Sequence, residues 1–410
     1  MATLQPYKKY NPVKYDYVAA LPDGWKLLPN IAIFQERIER GYENEELLSV
    51  TIGRGIIKQS ELDKKDSSTL DKSKYLLVYP DDLVYSMRFR QGASGYSNYK
   101  GIVSPACTVL RARKGVKLNP RFYYYMFRTG FYKNYVERYA YGIADGQMPL
   151  RYTDFKRMYS IFPPIEMQNS IVEYLDKKNN EIDKFIKNKE RLIELLEEQR
   201  RECIDTTING SFNSSTDKKP LKYIARLISE QTAKRKDGEK YLALENIQSW
   251  TGKIEFSVGE VEFENNAKRF NTTDILFNKL RPYLAKVVIP DFNGLCGSEF
   301  LVLRPSKQIL REFLFYKLIS RSLIDFVDSS TYGTKMPRAS WETIGKIEIE
   351  FPIKLTIQQG IISKIKEEES KNHFLRLKVL KEIASIKEYR EALITDLITG
   401  KRRVPQLQMV

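Results

Sequence analysis

Residues 164 to 210 admit little besides one long amphipathic helix, and the rest of the chain must be arranged to cover it. Phe162, Pro163 and Pro164 stand at its start, since proline suits only the first turn of a helix, and Asn209-Gly210 close it. Leu175, Ile182, Leu196 and Cys203 fall on a seven-residue spacing that Lys189 interrupts once. Phe185 and Leu192 lie three places after members of that series, and Ile171, Ile186 and Ile193 fill the adjoining row, so the apolar stripe is wide. About 45 residues at roughly 1.5 Å each make a rod of about 67 Å, too long to be buried within one small domain.

The chain supplies its own cover. Residues 353 to 400 repeat the pattern: Phe351-Pro352 lead in, Ile362, Ile365, Leu375, Val379, Ile386, Leu393 and Leu397 form the stripe, and Thr399-Gly400 end it. The two ends align: RRECIDTTING (200–210) with REALITDLITG (390–400), and before each helix GIVSPACTVLR (101–111) with GLCGSEFLVLR (294–304). Asp82-Leu-Val-Tyr echoes Asp274-Ile-Leu-Phe, Tyr141-Gly142 echoes Tyr332-Gly333, and Met148-Pro149 echoes Met336-Pro337. This is a twofold internal repeat of globular domain plus long helix.

The joint 211–219 spans at most about 34 Å when extended, so it cannot run back along the rod. The second helix therefore buries its stripe by returning antiparallel to the first. The predicted fold is α+β: two similar mixed α/β domains separated by two long antiparallel helices that form a coiled-coil spacer, with a pseudo-twofold internal repeat. Its parts are an extension (1–20), a first domain (21–163), the first helix (164–210), a linker (211–219), a second domain (220–352), the second helix (353–400) and a tail (401–410). The predicted core of the helix pair is Leu175, Ile182, Ile186, Ile193 and Leu196 against Leu375, Val379, Ile386 and Leu393.

The net charge of +16 is informative once located. Residues 164–210 hold 8 basic and 11 acidic side chains and 353–399 hold 9 and 7, so the helices are nearly neutral and the surplus lies in the domains, linker and tails. Basic heads on neutral rods point to a polyanion. Within the first domain residues 84–157 carry 14 basic and 3 acidic groups, interleaved with Tyr85, Phe89, Tyr96, Tyr99, Tyr141 and Tyr152. Tyr75 to Tyr85 and Gly101 to Leu110 read as strands and Arg121 to Tyr139 as a helix. Arg88 and Arg90 follow the strand at Asp82, as Lys279 and Arg281 follow the strand at Asp274. Gln147 and Arg151 lie in one late loop, and Lys335 and Arg338 in its counterpart. Gln, Lys and Arg are side chains able to read base edges, so these eight residues are the predicted DNA-facing set.

Catalytic signatures are missing. The one histidine, His373, lies inside the second long helix, where a structural or surface role is expected. Gly53-Arg54-Gly55 with Lys58 lacks the spacing of a phosphate loop, and Asn11-Pro12-Val13-Lys14 lacks that of an amino-group methyltransferase. Cys107, Cys203 and Cys296 stand about 90 or more residues apart, which suits buried thiols in a reducing compartment. No run resembles a signal peptide or a membrane span, so a cytoplasmic protein without membrane contact is expected. The reading is of a non-enzyme.

With these features in place, the chain resembles the specificity subunit of type I restriction-modification systems along nearly its whole length. Pro163-Pro164-Ile165-Glu166-Met167-Gln168 resembles that family's Pro-Pro-Leu-x-Glu-Gln start of its helix, and Leu21-Pro22-Asp23-Gly24-Trp25 its domain start. The second helix departs from the pattern, with Phe351-Pro352-Ile353 and Gln358-Gln359. The resemblance implies two target recognition domains, each reading half of a split site in double-stranded DNA, with the helices fixing the gap. It implies two docked methyltransferase subunits and ATP-dependent restriction subunits, which would carry S-adenosylmethionine, ATP and Mg; no cofactor is expected in this chain. Two rival readings are a coiled-coil scaffold with only non-specific nucleic-acid binding, and an RNA-binding protein, which would prefer unpaired strands.

Overall fold

In the computed structural model the described residues are 4–15, 17–62, 71–139, 150–212, 214–232, 234–236, 239–256, 266–331 and 336–405. The chain divides into two compact units, Met1–Lys187 with Glu382–Val410, and Asn188–Lys381. Each unit holds a mixed α/β domain and a portion of both long helices, Ile165–Asn209 and Leu355–Ile398.

Within each unit the helix portions pair antiparallel. In the first, Ile171, Val172 and Leu175 share a core with Leu393, Leu397 and Ile398, and Asp183 pairs with Arg390. In the second, Asn372 Nδ2 donates to the Leu196 carbonyl at 2.7 Å, Arg376 meets Glu197 at 3.0 Å, and Arg200 pairs with Glu369. Leu175, Ile182, Leu196, Val379 and Leu393 are buried, while Ile186, Ile193 and Ile386 are half-buried.

Leu375 corrects the expected core: it is 47% exposed, and Phe185 and Leu192 of the stripe also face outward. The seam uses residues four apart, such as 182/186 and 189/193, so Phe185 and Leu192, three places on, fall on the outer flank. Around Leu375 the inward positions belong to Glu369, Asn372 and Arg376, whose polar side chains reach the first helix.

The repeat read from the sequence is a repeat of topology. The first domain has a four-stranded antiparallel sheet in the order Phe34–Glu36, Thr108–Ala112, Leu83–Tyr85, Ser94–Tyr96. The second has Ala225–Ile228, Phe300–Pro305, Ile275–Asn278, Val287–Val288 in the same order. The echoed segments 101–111 and 294–304 supply the same inner strand of each. Beside that strand sits a buried carboxylate held by an arginine fork: Asp82 by Arg37 at 2.9 and 3.2 Å, Asp274 by Arg304 at 2.7 and 2.9 Å.

Three sequence expectations change in detail. The helix expected over Arg121 to Tyr139 is two, Pro120–Arg128 and Gly130–Val136, because Thr129 is extended and its hydroxyl donates to the Met126 carbonyl at 2.6 Å. Ser320 breaks Arg311–Ile319 from Arg321–Ser329 in the same way. The strand expected over Tyr75 to Tyr85 is likewise two, Leu76–Val78 and Leu83–Tyr85, divided by a turn in which Asp81 has φ 68°. A last strand in each domain, Tyr159–Phe162 or Glu348–Pro352, pairs with Lys26–Pro29 or Thr216–Pro220 and leads into the long helix. Thr216–Pro220 thus lies partly in the segment expected as a polar linker.

At the end of the second long helix Gly400 has φ +73°, and a Cβ there would meet Pro22 at 2.6 Å. The N-terminal segment is folded onto this end: Tyr10–Tyr15 pairs with Val18–Pro22, and Tyr10 Oη donates to the Gly400 carbonyl at 3.0 Å.

Candidate nucleic-acid interface

After the inner strand Leu83–Tyr85 the first domain makes a short 3-10 turn, Phe89–Gln91, bounded by Arg88 and by Gly92 at φ 94°. Phe89 is fully buried, with ring contacts to Tyr85 (5.0 Å), Phe127 (5.6 Å) and Tyr132 (6.2 Å). An anchored Phe89 forces its neighbours Arg88 and Arg90 to the surface, and both are exposed. Arg90 pairs with Glu137. Arg128 ties the turn to its neighbour by donating to the carbonyls of Gly92 (3.3 Å), Ser94 (3.1 Å) and Gly53 (2.9 Å). Arg151 is exposed at the start of the short helix Tyr152–Phe155, whose Phe155 ring packs 5.4 Å from Tyr85. Gln147 lies outside the described residues, as do Tyr141-Gly142 and Met148-Pro149.

The second domain places a 3-10 turn, Pro282–Leu284, after the equivalent strand Ile275–Asn278. Here three predicted residues come together. The Lys279 amide donates to the Glu299 carbonyl at 3.1 Å, the Arg281 amide to the Pro337 carbonyl at 2.8 Å, and the Ala339 amide to the Lys279 carbonyl at 2.9 Å. Arg338 reaches Glu299 Oε1 at 2.7 Å. Lys335 lies outside the described residues, with Tyr332-Gly333.

Backbone strain marks the same patch. Arg281 (φ 51°), Ala285 (φ 46°) and Trp250 (φ 65°) are left-handed without being glycine, and the Trp250 amide donates to the Ala285 carbonyl at 3.2 Å. Such conformations cost about 1–3 kcal/mol each and concentrate where geometry serves function. The first domain meets the corresponding need at Gly53 and Gly92.

Sequence reasoning missed Arg128, Glu299, Trp250 and Lys268. Lys268 donates to the carbonyls of Ser298 (3.0 Å) and Phe300 (2.7 Å), and burial followed by repulsion from Lys279 lowers its pKa below the usual lysine value. None carried a local signal, because each acts through partners remote in sequence. Among the described residues no group of three His, Cys, Asp or Glu side chains is placed to hold a metal, and no helix is long and apolar enough to cross a membrane. The arrangement offers cations and polar side chains on anchored turns, which suits recognition of a polyanion by shape and edge.

The family described as Type I restriction modification DNA specificity domain matches residues 41–195 and again 217–385, one match in each repeat. The Type I restriction enzyme EcoDI specificity subunit of Escherichia coli is 23% identical over 163 residues, which is 39% of this chain and only 36% of that protein's length. A chain from a structure on complex assembly and conformational transition of the type I R-M system superposes with TM-score 0.69 at 13% identity, over 93% of this chain and 99% of that one. The HsdS subunit from Thermoanaerobacter tengcongensis gives TM-score 0.53 at 14% identity, over 93% and 98%. With two family domains covering most of its length, each on the same sheet order and each carrying a cation-bearing turn at the same place, the chain belongs to the type I restriction-modification DNA specificity family.

Proposed function

We propose that this chain is the non-catalytic DNA specificity subunit of a type I restriction-modification complex, each domain reading one half of a bipartite, asymmetric site in double-stranded DNA. The observation that carries the reading is the coincidence of two family matches with two copies of one sheet order, each with exposed cations on the turn after the same strand. Because the turns differ in sequence, Arg88-Phe89-Arg90 against Arg281-Pro282-Tyr283, the two half-sites differ. Both long helices contribute to both units and set the unread gap between the half-sites.

Two methyltransferase subunits dock on the helix pair, and ATP-dependent restriction subunits join them. In the second unit the helices expose Leu192, Leu195, Phe374, Leu377 and Leu380 along with Leu375, an apolar surface of the kind that marks protein interaction. S-adenosylmethionine, ATP and Mg belong to those subunits, and the complex works in the cytoplasm.

Adenine methylation mapped across the host genome with and without this gene tests the function. Loss at one split, asymmetric motif is the expected result; an unchanged methylome sinks the reading.

A further inference from the structure

Each unit contains a basic cleft where its domain meets its portions of the two long helices. The first, about 580 Å³, is walled by the turn 52–56, the helix Pro120–Arg128 and residues 179–183 and 390–394 of the long helices. The second, about 670 Å³, is walled by the turn 248–253, Tyr316 and residues 197–201 and 366–376. Tyr125 and Tyr316 hold corresponding places: each hydroxyl donates to a long-helix carboxylate, Asp176 at 2.6 Å and Glu369 at 2.7 Å. Arg390 and Arg200, matched in the sequence repeat, each cross to an acid of the other helix.

The charge of the clefts repeats although most of the residues do not. The first is lined by Arg54, Arg121, Arg128, Lys133 and Arg390, opposed by Asp183 and Glu391. The second is lined by Arg200, Arg201, Lys253, Lys366 and Arg376, opposed by Glu197 and Glu369. Five cations face two carboxylates in both, yet only the Arg390/Arg200 pair comes from matched positions. Buried donor atoms of the lining also lack a hydrogen-bond partner among the described residues: Arg121 Nε and Arg390 Nε in the first cleft, Arg376 Nε in the second. Native proteins leave few such groups without a reason.

We propose that each cleft receives the sugar-phosphate backbone of double-stranded DNA beside its half-site, with Arg54 and Lys133 as phosphate contacts in the first and Lys253 and Lys366 in the second. This rests on the specificity-subunit reading. Three arguments select phosphate. Lys133, Lys253 and Lys366 have no ion pair among the described residues, and Arg54 has only a surface one to Glu61 at 4.0 Å. The cleft walls are bonded to the recognition turns, through Arg128 to Gly92 and through Trp250 to Ala285. Groups that read bases must differ between unlike half-sites, whereas the backbone is the same in both, so a repeated charge without repeated residues is what backbone contact requires.

The test measures binding of the full chain, in complex with its modification partner, to specific and scrambled duplexes over a range of salt. In the Lys253→Ala/Lys366→Ala and Arg54→Ala/Lys133→Ala variants, binding should weaken alike on both duplexes. The slope of log K against log salt should become shallower by about 0.9 for each phosphate left unneutralised. Lysine-to-arginine variants should keep the wild-type slope, and unchanged circular dichroism melting guards against misfolding. An unchanged slope overturns the proposal, and so does loss of partner co-purification with the slope intact, which would make the cleft a protein-docking site. If the wild type instead prefers no duplex, the specificity reading fails while the slope still judges the clefts.

Discussion

Gln168 accepts a hydrogen bond from the Asn119 backbone amide at 2.9 Å and donates one to the Pro163 carbonyl at 2.8 Å, with its side chain wholly buried. It thereby ties the first turn of the long helix to the start of the helix Pro120–Arg128. Gln358 does the same in the second repeat, accepting from the Leu310 amide at 2.8 Å and donating to the carbonyls of Pro352 (2.8 Å) and Gln308 (3.0 Å). The departure at 351–359 is therefore one of spacing, and the junction itself is kept.

Gln168→Ala and Gln358→Ala should each lower stability by about 1–3 kcal/mol, the cost of leaving buried backbone groups unpaired. Chemical denaturation checks this. Gln168→Glu should be no better, since a carboxylate cannot donate to Pro163.

The Arg304–Asp274 pair makes an asymmetric prediction, because Asp274 is fully buried and Arg304 only partly so. Arg304→Ala leaves the buried carboxylate with only the Asn271 amide at 2.9 Å and should cost about 1–3 kcal/mol. Adding Asp274→Leu should recover part of that loss in a double-mutant denaturation cycle.

Lys317 should give stability a distinct pH dependence. It is buried beside Phe212 and Phe313 with Asn209 Oδ1 at 2.9 Å, and burial lowers its pKa to about 8. A folded value below the unfolded one means that the unfolded chain binds the extra proton between about pH 8 and 10. Stability should therefore rise through that window by up to roughly 3 kcal/mol and be lost again as pH falls to 8. Above about pH 10 tyrosines raised by desolvation, such as the half-buried Tyr7 at about 12, act in the opposite sense. Lys317→Met should remove the rise, as urea titrations at pH 7.5, 8.5 and 9.5 would reveal.

Under the proposed function the two cation-bearing turns should act independently. Arg88→Ala should relax one position of one half-site and Arg281→Ala one position of the other, each costing about 1–3 kcal/mol of discrimination on randomised duplexes. Arg281→Gly should lose the same discrimination yet match or exceed wild-type stability, because glycine relieves the φ of +51°.

The helix pair offers a check on its own register. Leu375→Asp and Leu377→Asp lie on the half-exposed flank and should each cost no more than about 1 kcal/mol. Under the proposed function, co-purification with the methyltransferase should fall sharply. A large loss of stability would instead place Leu375 in the seam.

Much of the architecture was written in local pattern. Periodic apolar residues, flanking prolines and terminal glycines marked both long helices to within a few residues. The match of 101–111 with 294–304 announced two copies of one sheet before any strand was paired. The cations after each inner strand were visible for the same reason, since a repeat aligns positions whatever occupies them. What local pattern could not carry was any choice made by remote partners. Leu375 had the periodicity of a seam residue, and only the reach of Asn372 to the Leu196 carbonyl turned it outward. Thr129 split an apparently continuous helix by bonding its own preceding turn while the flanking aromatics packed on two sides. The left-handed backbone at Trp250, Arg281 and Ala285 is held by hydrogen bonds among three separate segments, and the clefts draw each wall from a different part of the chain. Periodicity and repetition are properties of neighbours along the chain, so the sequence by itself determined the elements and their duplication. Burial, strain and charge clustering are sums over neighbours in space, and those the tertiary structure alone decided.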